Sequence, residues 1–274
     1  MKKIIESFDG TKIFYEVHRV PKSKYFLVLL HGTGGHLSSW KKETEAFHKK
    51  GISTLALDFR GHGLSGRPRR AEDYKLESFA KDVKFVLDNE EIKDFVLVGH
   101  SLGGIIATVF AKLYPKMAKA YIFVNSFYIS PKLNYIIKDQ NRIRSVLNYF
   151  LESEFFDKSG GAHPRVKKNQ LSDLDLRRIY SDVSNTSLRS WLFVYQHIAD
   201  FDGKKILPKI KQPVLIVKGE RDFLVGDDIP EKMHLMIKKS KIVRFSEGNH
   251  LIPLKEPLVL SKEIYNFLNR GGIK

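Results

Sequence analysis

The sequence predicts an α/β fold in which helices cover both faces of a doubly wound, mostly parallel sheet. Short apolar runs of strand length alternate along the chain with longer segments whose apolar residues recur at helical spacing. This alternation is typical of the βαβ units that build parallel sheets. It is interrupted once, between 127 and 205, where no strand-like run occurs. With 274 residues, the chain is long enough for one such domain carrying an insertion.

Before the interruption, strands are predicted at 12–19, 25–30, 53–58, 95–98 and 120–125. The first alternates between polar and apolar residues, as a strand with one buried face does. The run 25–30 is mostly apolar, as expected for a fully buried strand. Helices are predicted at 38–50, at 76–89 and directly after Ser101. In the helix at 76–89 the apolar side chains share one face, which is the face that would cover the sheet.

The segment 127–205 is predicted to be a helical cap inserted into the core, which then consists of 1–126 and 206–274. An additional pair of core helices would not account for so long a stretch without strands. Within the cap, 134–152 and 188–199 have helical patterns, and Gly160-Gly161 marks a turn. The β–α alternation then resumes with a strand at 213–217, a helix around 231–239, a strand at 241–245 and a helix at 257–268.

The composition excludes some kinds of chemistry and leaves one surface property open. Cysteine is absent, which excludes disulfides, thiolate catalysis and cysteine metal sites. No apolar run reaches transmembrane length and residues 1–10 lack the apolar segment of a signal peptide, so we expect a cytoplasmic protein. The formal charge is +16, with basic clusters at 67–70, 165–168 and 238–241. This charge is compatible with attraction to an anionic lipid surface or to nucleic acid; no nucleic-acid motif accompanies it, and a solvated lysine-rich surface is the favoured interpretation.

The segment Gly99-His100-Ser101-Leu102-Gly103-Gly104 lies between the strand predicted at 95–98 and a helix-like run. A G-x-S-x-G sequence between a strand and a helix is typical of a nucleophile elbow. Its glycines allow the strand and the helix to approach each other around a strained serine. The helix N-terminus then faces any negative charge that develops beside the serine. We therefore predict that Ser101 is a nucleophile, with a tight structural turn as the alternative.

A serine nucleophile needs a base, and the base needs an acid that orients it. His250 follows the last predicted strand in Glu247-Gly248-Asn249-His250, and is predicted to be the base. Asp222 lies in the loop directly after the strand at 213–217, and is predicted to be the acid. Asp227 and Asp228 are nearby competitors for that role, and a turn-forming aspartate or an Arg221 partner is the alternative for Asp222 itself.

An oxyanion formed at Ser101 needs two backbone donors. The N–H of Leu102 is predicted to be one, because it follows the nucleophile. The second is expected from the glycine-rich loop His31-Gly32-Thr33-Gly34-Gly35 after the strand at 25–30. We predict Thr33 for this donor, with Gly34 as the alternative. The loop lacks the Lys-Ser/Thr of a P-loop and the spacing of a dinucleotide fingerprint, so a phosphate cradle is disfavoured.

Over essentially its whole length the chain resembles the α/β-hydrolase fold superfamily. The resemblance rests on five segments in the same order as in the superfamily: the oxyanion loop at 31–35, D-x-R-G-x-G-x-S at 58–65, the elbow at 99–104, the acid loop at 219–222 and the histidine loop at 248–250. The chain order Ser, Asp, His is also the one expected there. The resemblance implies that 58–65 is scaffold and that His31, His62 and His100 support the site.

The resemblance implies ester hydrolysis through an acyl-enzyme, with a small-molecule ester as substrate and neither a metal nor an organic cofactor. The aromatic residues of the cap suit an apolar acyl group. Those predicted to bind substrate are Phe127, Tyr149, Trp191 and Phe193. Attachment of the cap to the core is the alternative role for such residues. A carboxylesterase is favoured, with a monoacylglycerol lipase-like subtype because of the short cap and the basic surface.

Other activities remain open from the sequence. A cofactor-free haloperoxidase or a C–C bond hydrolase would use the same triad. A hydrolase-like receptor would bind a small molecule with little or no turnover. Epoxide hydrolases and haloalkane dehalogenases are disfavoured, because their nucleophile is aspartate and position 101 is serine.

Overall fold

The computed structural model describes residues 1–130, 141–153 and 186–270. Several features predicted for the cap lie outside these residues. They are the first part of the predicted helix at 134–152, the Gly160-Gly161 turn and the basic cluster at 165–168.

Among the described residues, one eight-stranded sheet has the strand order β1-β2-β4-β3-β5-β6-β7-β8. The strands are β1 (Lys2–Glu6), β2 (Lys12–His18), β3 (Phe26–Leu30), β4 (Ser53–Leu57), β5 (Phe95–His100), β6 (Ala120–Val124), β7 (Val214–Gly219) and β8 (Ser240–Phe245). β2 pairs antiparallel with both β1 and β4, and all other neighbours are parallel. The mostly parallel sheet predicted from the sequence is confirmed.

Helices cover both faces of this sheet. The helices of the core are α1 (Lys41–Lys49), α2 (Leu76–Asn89), α3 (Leu102–Leu113), α6 (Asp228–Met236), α7 (Ile252–Lys255) and α8 (Pro257–Arg270), whereas α4 (Asn141–Leu151) and α5 (Leu188–Ala199) belong to the inserted segment. Alternate residues of the central strands point to opposite faces. Val28 and Leu30 join the core under α2 and α3, whereas Leu27 and Leu29 join the core under α1 and α8. The doubly wound arrangement follows from this division of the apolar side chains.

The register of the parallel strands brings their carboxyl ends to one edge of the sheet. Leu30 at the end of β3 lies beside Gly99 at the end of β5, and Val124 of β6 lies beside Val217 of β7. The loops that follow these strands are therefore neighbours in space. In open α/β sheets ligands bind at this edge.

Strand β1 was not predicted from the sequence. Its residues, Lys-Lys-Ile-Ile-Glu, alternate between exposed and half-buried, and it pairs with β2 at one end of the strand order. A short charged strand at a sheet edge has little apolar signal of its own. Helix α6 also differs from its prediction at 231–239, since it begins at Asp228 and ends at Met236. Ile237 ends it early, because its backbone is extended and its side chain is buried as the chain turns towards β8.

The two ends of the inserted segment meet at its base. Ile129 and Asp202 form an isolated antiparallel bridge, and Gly203 N donates to Tyr128 O at 2.6 Å. Helix α5 then attaches the insert to the core, because Ser190 Oγ lies 2.7 Å from Tyr74 OH. The domain boundaries at 127 and 205 stay predictions.

Candidate active site

Ser101 occupies a strained turn between β5 and α3. Its φ of +49° and ψ of −113° are unfavourable for a residue with a side chain, and such conformations cost about 1–3 kcal/mol. Hydrogen bonds on both sides hold this geometry: Ser101 N donates to Val124 O at 3.0 Å, and Ser101 O accepts from Gly104 N at 2.9 Å. Ser126 Oγ also donates to Ser101 O, at 3.0 Å.

The glycines beside Ser101 leave no room for a side chain. A Cβ at Gly103 would lie 2.3 Å from Leu30 O, and one at Gly99 would lie 2.3 Å from Gly103 O. The start of α3 is thus pressed against the ends of β3 and β5. This close approach explains the glycine spacing of the elbow and presents Ser101 at the sheet edge.

Asp222 and His250 form a buried hydrogen-bonded pair. His250 Nδ1 lies 2.9 Å from Asp222 Oδ2. Because an ionised carboxylate only accepts, Nδ1 carries the proton and Nε2 is left as the basic nitrogen. The other carboxylate oxygen, Oδ1, accepts from Leu224 N at 2.8 Å and Val225 N at 3.1 Å. The ring of His250 is therefore held in one tautomer.

The surroundings of Asp222 keep it ionised. Burial by itself would raise the pKa of the carboxyl group, but the hydrogen bond and charge of His250 and the two backbone amides hold this pKa below its ordinary value. A carboxylate is the form that orients and stabilises a protonated imidazole.

The two competing aspartates form ion pairs with lysine side chains. Asp227 is 82% exposed and pairs with Lys218 Nζ at 3.5 Å. Asp228, the first residue of α6, pairs with Lys232. Of the three acidic candidates, Asp222 is the one that the structure places in contact with His250.

The loop after β3 lies against the nucleophile. A Cβ at Gly32 would be 3.3 Å from Ser101 Cβ. Phe59 N donates to His31 Nε2 at 3.0 Å, so Nδ1 is the protonated nitrogen and donates to Gly32 O at 2.7 Å. Burial is the main cause that lowers the pKa of His31 to about 3, in keeping with a neutral ring. His31 thus helps to fix the orientation of the loop through its hydrogen bond to Gly32 O.

The predicted oxyanion donors are on the two segments beside Ser101. Thr33 follows Gly32 and is half-buried, and Leu102 is the fully buried first residue of α3. Gly34 has a φ of +74°, which turns the loop sharply after Thr33. The roles of Thr33 and Leu102 as donors stay predictions.

The segment 58–65 acts as a structural anchor. Asp58 accepts from Leu37 N at 2.7 Å and Leu64 N at 2.8 Å, which joins two loops. Arg60 forms a two-pronged ion pair with Asp82, and both side chains are fully buried. These contacts are internal to the scaffold, as expected from the resemblance.

Comparison with known proteins agrees with this architecture. The sequence model of the family described as alpha/beta hydrolase fold matches residues 25–257. The chain belongs to this family.

The chain is similar to Epoxide hydrolase 4 of Mus musculus, with 26% identity over 95% of this chain and 77% of that protein. It is also similar to Epoxide hydrolase 3 of Xenopus tropicalis, with 32% identity over 93% of this chain and 74% of that protein. Among solved structures, an esterase (EaEST) from Exiguobacterium antarcticum aligns with a TM-score of 0.76 at 21% identity, covering 98% of this chain and 100% of that one. At this sequence identity, the similarity to the esterase shows a shared fold only.

The aromatic residues predicted to bind substrate have different surroundings in this α/β hydrolase. Phe193 is fully buried on α5 and packs against Tyr74, with ring centroids 5.5 Å apart. Phe127 is buried in the core under α3. Trp191 is half-buried against Tyr195, and Tyr149 on α4 is 79% exposed. Phe193 therefore helps to attach the cap; substrate binding by these residues stays a prediction.

In 1–130, 141–153 and 186–270, no helix is long and apolar enough to cross a membrane. The same residues contain no group of three or more His, Cys, Asp or Glu side chains arranged to hold a metal ion.

Two buried polar side chains at the ends of strands were not predicted to belong to the site. Lys218 at the end of β7 donates to Gly219 O at 2.7 Å and Asp222 O at 3.2 Å. Asn125, directly after β6, contacts both the acid loop and the histidine loop. The available signal was a polar residue at the carboxyl end of a buried apolar run, which is the edge where the site lies.

Proposed function

We propose that this α/β hydrolase cleaves carboxylic esters, with Ser101 as nucleophile, His250 as general base and Asp222 as the orienting acid. The observation that carries this proposal is the buried Asp222–His250 hydrogen bond of 2.9 Å, linked to the strained Ser101 elbow by His100 Nε2, which lies 2.7 Å from His250 O.

In the proposed reaction, Ser101 attacks the ester carbonyl while His250 Nε2 takes its proton. The carbonyl oxygen becomes an oxyanion, which accepts from the N–H groups of Leu102 and Thr33. His250 returns the proton to the leaving alcohol as the acyl-enzyme forms. Water then attacks the acyl-enzyme with the same base, and the acid and free serine are released.

Epoxide hydrolysis is a second candidate, supported by the similarity to proteins named epoxide hydrolase. The nucleophile argues against it. A carboxylate that opens an epoxide forms an ester, which water can hydrolyse. A serine would form an ether, which water cannot cleave under the same conditions. Turnover of an epoxide such as styrene oxide that persists in Ser101→Ala, with no turnover of any ester, would favour this candidate over ester hydrolysis.

The proposed substrate is an ester with a medium or long acyl chain, of the kind a monoacylglycerol lipase cleaves. Large apolar side chains on the cap and on the acid loop support it. Tyr149 and Phe150 of α4 are 79% and 61% exposed, and Phe223 beside Asp222 is 82% exposed. Exposed apolar side chains on the cap and the acid loop favour an apolar acyl chain, because burying each methylene contributes roughly 0.8 kcal/mol.

We also propose that an anionic lipid surface attracts the chain. The support is the net charge of +16 and the exposed basic side chains of two clusters. Those at Arg69 and Arg70 lie directly before Ala71, whose N–H donates to Glu152 of the cap at 3.3 Å. Binding to vesicles containing phosphatidylserine should weaken as salt is raised from 0.05 to 0.5 M, roughly, because surface charges are screened. Binding that ignores salt would contradict the proposal.

The test of the catalytic proposal uses nitrophenyl esters and a fluorophosphonate probe. Ser101→Ala should abolish turnover and labelling while the circular dichroism spectrum stays unchanged. Ser78→Ala, on α2 far along the chain from the elbow, is the matched control and should behave as the wild type. His250→Ala should be as damaging as Ser101→Ala, and Asp222→Asn severe, because members of a triad act together.

Two outcomes would count against the proposal. Near-native ester turnover by Ser101→Ala would reject the nucleophile. Wild-type labelling at Ser101 without turnover of any ester would favour a receptor, or one of the other activities that use the same triad.

A further inference from the structure

Two segments of the candidate site, the acid loop and the histidine loop, meet at Asn125, which directly follows β6. Its side chain is 1% exposed, and its backbone has a φ of +43°. This left-handed conformation is tolerated better by asparagine than by most residues. Asn125 N donates to Val217 O at 2.9 Å, which extends the pairing of β6 with β7 by one bond.

The side-chain amide of Asn125 joins the acid loop to the histidine loop. Its Oδ1 accepts from Gly219 N at 2.8 Å, at the start of the loop that carries Asp222. Its Nδ2 donates to Asn249 O at 2.7 Å and to His250 O at 3.1 Å. An amide supplies an acceptor and two donors at once, as this arrangement requires.

The carbonyl of His250 receives a second donor. His100 Nε2 lies 2.7 Å from His250 O, and the two imidazole rings are 5.0 Å apart. His100 directly precedes Ser101, so this contact links the nucleophile elbow to the histidine loop. The backbone of His250 is therefore held by Asn125 and His100, while its ring is held by Asp222.

We infer that Asn125 is a positioning residue that fixes the backbone of His250 relative to Asp222. The inference rests on the proposed ester hydrolysis for its effect on catalysis. Asn125 touches the main chain on both loops, and the structure shows no hydrogen bond from it to the reacting side chains. Its loss should misplace the base and slow the chemical step without weakening the capture of substrate.

Two variants separate the amide from the backbone conformation. Asn125→Asp keeps the size of the side chain and its tolerance of positive φ, but replaces the donors to Asn249 O and His250 O by acceptors. Asn125→Gly keeps the backbone freedom and removes the side chain. Asn269→Asp, an exposed residue of α8, is the control for the change of charge.

The deciding measurement is the downfield proton resonance of the His250 Nδ1–H···Asp222 hydrogen bond, assigned by its absence in His250→Gln. This resonance should shift or broaden in both Asn125 variants and stay unchanged in Asn269→Asp. With a nitrophenyl ester, kcat should fall roughly ten- to hundredfold while KM stays within about threefold, as expected for a displaced catalytic group.

A resonance identical to that of the wild type in both folded Asn125 variants overturns the inference, whatever the kinetics. A shifted resonance supports it. If the wild type had the resonance but no ester turnover, the proposed function would fail, and the resonance in the variants would still decide the role of Asn125.

Discussion

Replacing Asp82 by asparagine should lower the free energy of unfolding by about 3 kcal/mol. Asp82 Oδ2 accepts from Arg60 Nε at 2.7 Å, and Oδ1 accepts from Arg60 Nη2 at 2.7 Å and Ser7 Oγ at 2.6 Å. Both members of the ion pair are fully buried. An asparagine would place an NH2 group against the guanidinium donors and leave the buried charge of Arg60 partly uncompensated.

The magnitude follows from what remains in Asp82→Asn. Removing one partner of a buried pair costs roughly 3–5 kcal/mol. Arg60 Nη1 still contacts Asp9 Oδ2 at 2.8 Å and Asp73 O at 2.7 Å, so we expect the lower end of that range. For a chain of 274 residues, such a loss lowers the unfolding midpoint by roughly 5 °C.

The matched control for this prediction is Asp88→Asn on the same helix. Asp88 is 56% exposed and pairs with Lys84 across one turn of α2. Exposed pairs of this kind contribute about 0.5 kcal/mol or less. Urea unfolding at pH 7, followed by circular dichroism, measures both variants.

If Asp82→Asn lay within 1 kcal/mol of the wild type, roughly the error of the assay, the anchoring role of the 58–65 segment would be refuted. Ester turnover per folded molecule should stay near that of the wild type below the unfolding transition. A selective loss of kcat would instead indicate that Arg60 contributes to catalysis as well as to the scaffold.

Three further predictions use other parts of the structure. Gly103→Ala should abolish fluorophosphonate labelling and lower the unfolding midpoint, because its Cβ would lie 2.3 Å from Leu30 O. The control is Gly10→Ala, whose Cβ would meet open space, although Gly10 has a positive φ. Equal effects of the two variants would contradict the steric argument. Burial lowers the pKa of His31 to about 3 and that of His62 to about 4. As the pH falls below 6.5, these histidines therefore become protonated in the unfolded chain while they stay neutral in the folded chain. Stability should therefore be lost from pH 6.5 down to about 4 for His62 and about 3 for His31, by roughly 2 kcal/mol per histidine at pH 5. Urea unfolding measures this loss, and His62→Gln should show a shallower one. In a series of nitrophenyl esters, kcat/KM should rise tenfold or more from acetate to a medium acyl chain, since each buried methylene contributes roughly 0.8 kcal/mol; highest activity on acetate would instead indicate a small-ester carboxylesterase.

Much of the fold was predictable because its signals are local. The apolar runs that became β3, β5 and β7 are strand-length segments whose burial is evident from composition alone. Strand β1 was missed, because a charged edge strand is defined by pairing with β2 and hardly by its own residues. The bounds of α6 were shifted, because burial of Ile237 against the core ended the helix.

The chain alone determined that Ser101 would lie in a glycine-flanked elbow, since strand, turn and helix are contiguous in sequence. It also indicated His250 and a group of three aspartates as partners. Only the tertiary structure decided which aspartate contacts His250, that Lys218 and Asn125 brace the two loops, and that Phe193 is buried against Tyr74. Contacts such as Asn125 to His250 join residues separated by 125 positions. They depend on the order and register of β5, β6 and β7 in the sheet, which no short segment of the sequence encodes.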